Sequence, residues 1–261
     1  MPGDCDDAAM QATLLGTGDV TGVPAPFCDL DDAGAAARRR RPGLLVETDA
    51  TALLFDAPPD FRDGVRDRGV RSLDATFLTH WHHDHVGGID DLAMVAGDVG
   101  DHLYRTPTAA DRFAREKPYL ADAFDERDLS HGDPVPVADA TVTPIPVAHD
   151  RPAFDTLAFR VETDDATLVY APDFGTWCPE RPGGKQYREA DLAVLEATSV
   201  LAPHHLDGVA PDDDPVADAA ADRTVLTHVN EHHLEGDTAA LEREAADAGY
   251  ELGADFDTFE L

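Results

Sequence analysis

The feature that most constrains this chain is a turn in which four histidines and one aspartate fall within six positions, His80-Trp81-His82-His83-Asp84-His85. It follows the apolar run Ala75–Thr79, which reads as a buried strand, and it leads into Gly87-Gly88, which can open a helix. At a strand end His80 and His82 lie two apart and point the same way, whereas Asp84 and His85 begin the next element and point elsewhere. One short turn therefore offers two imidazoles to one metal ion, and a carboxylate with an imidazole to a second. Two ions need more ligands than these four residues give. Three later positions repeat the same context, an apolar strand capped by His or Asp. They are His149 after Thr141–Pro146, Asp173 after Thr167–Tyr170, and His228 after Thr224–Thr227. Neutral imidazole suits Zn, Fe, Ni or Cu, and added carboxylates widen the choice to Mn.

The rest of the chain reads as an α/β protein. Strands are expected at Ala12–Leu15, Leu44–Thr48, Thr51–Phe55, Ala75–Thr79, Leu157–Glu162 and Leu192–Leu195, besides the three named above. Leu44–Thr48 and Thr51–Phe55 should pair as a hairpin across Asp49-Ala50. Helical patterns fall at Asp60–Arg68, Gly88–Ala96, Ala109–Glu116 and Thr238–Ala248. Both halves mix strands with helices, which suits a layered sandwich better than a strict βαβ wind. Residues 1–261 are expected to form one domain. The odd segment is Gly16–Gly43, rich in Gly, Pro and Asp and ending in Arg38-Arg39-Arg40-Arg41. It is too long for a plain connection. The segment reads as a mobile surface insertion, with closing over the site or meeting a partner subunit as alternatives; its arginines read as a solvated stretch, with contact to a substrate phosphate as the alternative.

Composition narrows the class further. Of 261 residues, 53 are Asp or Glu and 20 are Lys or Arg, a net charge of −33, yet 43% are hydrophobic, enough to bury a core. The acids (40 Asp, 13 Glu) are spread along the chain, and the bases are 18 Arg to 2 Lys. This is the pattern of a surface solvated at high salt, where self-repulsion is screened. No stretch approaches the ~20 apolar residues of a membrane helix, and the start has no secretory pattern, so a cytoplasmic protein with no membrane partner is expected. Cys5, Cys28 and Cys178 are too few and scattered for a disulfide framework. A basic nucleic-acid footprint is absent.

With its ligands in this order, His80-x-His82-x-Asp84-His85 followed by His149, Asp173 and His228, the chain resembles the metallo-β-lactamase-fold hydrolases. The resemblance covers nearly the whole chain and implies a four-layer αβ/βα sandwich. It implies two divalent ions, zinc first, with manganese or iron as alternatives. His80, His82 and His149 would hold one ion, Asp84, His85 and His228 the other, and Asp173 would bridge; His83 sits at a variable position. The start Leu14-Leu15-Gly16-Thr17-Gly18 with Gly22-Val23-Pro24 is similar to the branch that opens 5-phosphoribosyl 1,2-cyclic phosphate, whose relatives are often dimers. That branch continues with three cysteines that help hold a structural zinc. Here Cys28 meets Leu30 and Ala33 instead, so that zinc is not expected. The branch also has a general-acid histidine before the last metal-ligand strand; His204-His205-Leu206-Asp207 occupies that place, and His205 is the candidate. Leu195-Glu196-Ala197-Thr198 resembles a segment of tRNA 3′-processing nucleases in which a carboxylate orients a catalytic histidine, a role open to Glu196.

The chemistry implied is hydrolysis of a small, cyclic phosphate diester by a hydroxide made at the two metals, with Asp84 and Asp173 at the reacting centre. His205 would protonate the leaving alkoxide. Second-shell carboxylates should fix the imidazole tautomers; Asp150, Asp90 and Asp91 are available by sequence. A tRNA 3′-processing nuclease and a thioester or lactone hydrolase of the same fold are the alternatives.

Overall fold

Leu14, Leu44 and Leu53 belong to one buried cluster, while their chain neighbours Leu15, Leu45 and Leu54 belong to another. This is the period of two that a strand imposes when both of its faces are covered. The computed structural model describes residues 10–27, 38–100, 102–149, 155–197, 215–229 and 238–261. Its strands are β1 (Gln11–Gly16), β2 (Gly43–Glu47), β3 (Ala52–Phe55), β4 (Ala75–Phe77), β5 (His102–Arg105), β6 (Asp125–Asp128), β7 (Val135–Val137), β8 (Ala140–Ala148), β9 (Thr156–Glu162), β10 (Thr167–Ala171), β11 (Thr176–Trp177), β12 (Leu192–Glu196), β13 (Arg223–Thr227), β14 (Glu251–Leu252) and β15 (Thr258–Glu260). The helices are α1 (Phe61–Arg68), α2 (His83–Val86), α3 (Ile89–Ala93), α4 (Ala96–Val99), α5 (Pro107–Glu116) and α6 (Thr238–Asp247).

Two sheets face each other. One has the order β15-β1-β2-β3-β4-β5-β6; the other runs β11-β8-β9-β10-β12-β13-β14, with β7 on β8. Each begins as an antiparallel meander and continues parallel, from β3 to β6 in the first and from β10 to β14 in the second. The shared core is aromatic. Phe55 and Phe77 stack at 5.4 Å, and Phe159 of the opposite sheet meets them at 5.4 and 5.6 Å. Outside the first sheet, Phe61 of α1, Ile89 and Leu92 of α3 and Phe113 of α5 cover Leu45, Leu54 and Leu103. On the second, Leu241 and Ala245 of α6 cover Leu226. The layers are those of a four-layer sandwich.

The expected hairpin is present, with Glu47 opposite Ala52. The single helix expected over Gly88–Ala96 is instead two, α3 and α4, because Val95 leaves helical geometry at φ −123°, as a β-branched residue does readily. Strands β5 and β6 were not expected from the sequence. Asp125-Glu-Arg-Asp has poor strand propensity, but Arg105 ties the pair together by hydrogen bonds to Glu126 (2.8 Å) and to Asp128. Among the described residues Cys178 is buried and forms no disulfide, while Cys5 and Cys28 lie outside them. No described helix is long and apolar enough to cross a membrane.

Candidate metal centre

Strands β4, β8, β10 and β13 all end at one rim, and each delivers a polar residue there. The β4 exit carries His80 and His82 toward the centre. Trp81 between them turns the other way, onto Phe113 (5.6 Å) with its indole N–H donating to Glu116 (2.9 Å). His149 follows β8, Asp173 follows β10, His228 follows β13, and α2 supplies Asp84 and His85. These residues form two sets whose ligand atoms lie within 4.8 Å of one another: His80, His82, His149 and Asp173, and Asp84, His85, Asp173 and His228. All seven ligand positions expected from the sequence therefore meet, and Asp173 belongs to both sets. His83 is exposed and belongs to neither. His205, Asp150 and Thr198 lie outside the described residues.

Distances fit a small cation. Asp173 Oδ2 stands 3.0 Å from His149 Nε2, 3.4 Å from His80 Nε2, 3.7 Å from His85 Nε2 and 3.8 Å from His228 Nε2. Asp84 Oδ2 is 3.3 Å from both His85 Nε2 and His228 Nε2. A tetrahedral site with ~2.0–2.1 Å metal–nitrogen bonds has edges of roughly 3.3 Å, in the middle of that range.

The tautomers point the same way. His85 Nδ1–H donates to Asp56 Oδ2 at 2.7 Å. The Thr79 hydroxyl donates to the same carboxylate (2.9 Å) and accepts from His80 Nδ1–H at 3.0 Å. Both histidines thus turn Nε2 into the centre, His85 toward Asp84 and Asp173 and His80 toward Asp173 and His82 Nδ1 (2.8 Å), the direction in which neutral rings would offer their lone pairs to a cation. His85 Nε2 and Asp84 Oδ1 are buried with no hydrogen-bond partner, an arrangement that proteins tolerate at few sites other than functional ones.

Burial and charge give the same answer. Burial would push His85 and His228 toward neutrality, but Asp56 and Asp84 lift His85 well above the ordinary histidine value, and Asp173 and Asp84 lift His228 to about 9. Burial would raise Asp84 and Asp173, yet His85 holds the first and His228 the second below the usual carboxylate range. His80, buried and facing His85, falls to about 3. The buried carboxylates demand positive charge, which bound dications would supply. The N and O donor set fits divalent ions.

Sequence reasoning missed Asp56, the carboxylate that orients the site. It follows an apolar strand just as Asp173 does, and that shared context was the available signal. It sits in the left-handed region at φ 63°, as does His228 at φ 57°, backbone strain of the kind that clusters at functional sites. Gly88 makes the placement possible. A Cβ there would lie 2.4 Å from the Pro58 carbonyl oxygen, so only glycine lets α2 lie against Asp56–Pro58, where Ala57 N–H donates to His85 O at 2.8 Å. Of the second-shell carboxylates offered by sequence, Asp90 turns outward to Lys117 and Tyr119 and Asp91 is exposed. Glu196 accepts from Phe174 N–H (2.9 Å), which fixes the loop carrying Asp173. Burial and the charge of Asp173 push its carboxyl up to about 7.

The chain is similar to several known proteins. Ribonuclease Z of Methanopyrus kandleri is 33% identical over 129 residues, covering 48% of this chain and 45% of that protein. An octanoyltransferase of Porphyromonas gingivalis is 36% identical over 154 residues, 54% of this chain and 31% of that protein. The chain thus spans less than half the length of these two curated relatives. Among solved structures, a diphosphatase from the PhnP family superposes with a TM-score of 0.77 over 97% of both chains at 24% identity. Residues 51–229, which include all seven candidate ligands, match the family described as the beta-lactamase superfamily domain. The chain belongs to the beta-lactamase superfamily and is an enzyme of the metallo-β-lactamase fold.

Proposed function

We propose that this chain is a dinuclear metal-dependent phosphodiesterase that opens a small, cyclic phosphate diester, working as a single domain over residues 1–261. The observation that carries this reading is Asp173, one carboxylate shared between two complete four-residue sets. The similarity to a diphosphatase in fold and to a ribonuclease in sequence favours phosphate esters over other substrates of a dinuclear site. Zinc is the metal assigned first; manganese and iron suit the same donors.

Two ions held by these residues would supply Lewis acidity at the phosphoryl oxygens and a nucleophile near neutral pH. The chain supplies the rest. Asp56 and Thr79 lock the His85 and His80 rings with Nε2 forward. Glu196 fixes the Asp173 loop through Phe174 N–H. His82 and His149 are half-buried while His80 and His85 are fully enclosed, so a diester enters from the first pair's side. His205 is assigned the proton that the departing alkoxide takes up.

The test is metal content together with turnover of bis(p-nitrophenyl) phosphate and ribose 1,2-cyclic phosphate. About two metals per chain and diester turnover, abolished in Asp84→Ala and reduced in His205→Ala, are expected. Two metals without diester turnover would redirect the reading to thioesters and lactones. A second reading, a tRNA 3′-processing nuclease, is favoured by the match to ribonuclease Z; a kcat/KM for a precursor tRNA above that for the cyclic diester would establish it instead. The charge of −33 we assign to work at high salt, with a melting temperature that climbs as KCl is added.

A further inference from the structure

The four consecutive arginines are not the solvated stretch that their sequence suggests. Arg39 is 5% exposed and donates to Thr17 Oγ1 (2.8 Å) and to the Gly253 carbonyl, while Arg40 and Arg41 pair with Asp255 and Asp60. The unmatched positive charge of this acidic chain gathers elsewhere, along α1. Arg62 and Arg66 are exposed and stand four residues apart, so they share one side of the helix. Arg71 follows the turn at Gly69, where the backbone is left-handed at φ 74°. None of the three forms an ion pair among the described residues. Elsewhere on the surface Glu116 meets Arg112 and Glu251 meets Arg223. Like charges at a spacing of four repel, and the 53 acids of the chain leave this group unrelieved.

Beside the arginines runs an apolar stripe. Phe61 and Val65, also four apart on α1, join Val70 and Val95 as the apolar walls of a cavity of about 360 Å³. Arg62, Arg66 and Arg71 line it as well, and Asp91 is the one carboxylate among its lining residues. Val95, at the break between α3 and α4, is 44% exposed, and its neighbour Met94 is 71% exposed. These are two of only five large hydrophobic side chains that the described residues leave exposed. An apolar patch rimmed by polar groups marks a binding groove, and this volume falls in the range of small-molecule sites.

None of the seven candidate metal ligands lines this cavity. It belongs to the helical layer behind the metal turn. A Cβ on Gly88 would lie 2.5 Å from the Phe61 ring, so Phe61 is pressed against the start of α3, and its other side is a wall of the cavity. The size of the patch selects the kind of occupant. A stable protein interface takes about 800 Å² and 20–30 residues from each partner, whereas nine residues line this cavity. An apolar molecule alone would leave the guanidinium groups unmet, and a bare anion would leave the valines wet. In salt, direct contacts to an anionic head persist, while repulsion from remote carboxylates is screened beyond roughly 3–8 Å.

We propose that the groove between α1 and α3 binds a small amphipathic anion, a molecule with an aliphatic or aromatic body and one anionic head. Phe61, Val65, Val70 and Val95 take the body. Arg62, Arg66 and Arg71 take the head, because fork-shaped donors grip its oxygens through charge-assisted hydrogen bonds. This site is separate from the metal centre, and the inference does not rest on the phosphodiesterase reading.

The experiment titrates octanesulfonate into the metal-loaded full chain carrying ¹³C in its methionine methyl groups. The chain has three methionines; Met94 adjoins the groove, whereas Met10 is buried in the core, and Met94→Leu identifies the Met94 signal. That signal should shift saturably while the Met10 signal stays in place. Methanesulfonate, the head alone, and octanol, the body alone, should each bind at least about tenfold more weakly than octanesulfonate. Arg62→Ala and Arg66→Ala, both surface changes, should each weaken octanesulfonate about tenfold and leave melting temperature and metal content at wild-type values. A Met94 signal that does not move, or that moves equally in the Arg62→Ala/Arg66→Ala double variant, would overturn the site. Octanol binding as tightly as octanesulfonate would overturn the role of the arginines and with it the proposal. A dimer in solution whose Met94 signal changes on dilution would assign the face to a second copy of the chain instead.

Discussion

The two ligand sets share Asp173 but are built differently. The set of Asp84, His85 and His228 is anchored from behind: His85 rests on Asp56, Asp56 also takes the Thr79 N–H at 2.8 Å, and every member is 8% exposed or less. In the set of His80, His82 and His149, Thr79 holds His80, and the other two histidines are half-buried. A ligand held by a second carboxylate presents a fixed lone pair and loses little freedom on binding metal. The difference teaches what to expect of each set: an ion in the enclosed set would be firmly fixed, whereas an ion in the half-buried set would lie on the side we assign to the substrate and would exchange more readily.

The shared carboxylate gives the largest test. Asp173→Ala removes a ligand from both sets, so metal content should fall below one per chain and turnover should vanish. If one full equivalent of metal survives, Asp173 serves a single set and the symmetry of the site is broken. Next comes the contrast between Asp84→Ala and His149→Ala. Each should lose about one metal, but the ion remaining in Asp84→Ala should leave with a weaker chelator than the ion remaining in His149→Ala. Equal release would erase the distinction. Chelation of the wild type should also lower its melting temperature by roughly 10 °C, since a ligand at a thousand times its Kd stabilises by ~4 kcal/mol. A third, smaller effect isolates the support itself. Asp56→Asn keeps the shape but offers His85 an amide in place of a charged acceptor, and activity should fall about 10–100-fold with a matching loss of affinity at the enclosed set. Unchanged affinity would mean that burial alone holds His85.

The candidate ligands were legible because His80, His82, His149, Asp173 and His228 follow apolar strands, whose ends alternation marks clearly, and Asp84 and His85 belong to the same short turn as the first two. The four residues of the turn, with His149, Asp173 and His228, needed only that pattern and the family resemblance. Asp56 has the same context, but it lies 24 residues before His80 in the sequence, and only the parallel pairing of β3 with β4 brings its segment beside the β4 exit. The buried arginine has a similar cause. Arg39 looks solvated in a run of four, and its burial depends on a carbonyl at Gly253, 214 residues away. Strands β5 and β6 were illegible because pairing to Arg105, not residue propensity, holds Asp125–Asp128 in place. Local periodicity is written in the chain; long-range partners are not.

Asp90 supplies the smallest prediction and the control for Asp56. Both are aspartates near the metal turn, and sequence alone offered Asp90, with Asp91 and Asp150, as a carboxylate to hold a ligand imidazole. Partial burial would raise its carboxyl slightly, but hydrogen bonds from Lys117 and Tyr119 hold it below its ordinary value of 3.8. A carboxylate depressed in the folded state contributes stability above its unfolded pKa and loses it as pH falls through the folded one. Lys117, raised above its ordinary value of 10.5 chiefly by the hydrogen bond to Asp90, contributes below that value and loses its share at higher pH. Asp90→Asn should therefore destabilise the protein by no more than about 1 kcal/mol at pH 7, since the pair is largely solvent-screened. That difference should close as the pH drops below 3.8. Diester turnover and metal content should stay at wild-type levels. A loss of activity in Asp90→Asn as large as that in Asp56→Asn would mean that the two carboxylates serve one site, and that the support behind the enclosed set extends through α3 to the surface.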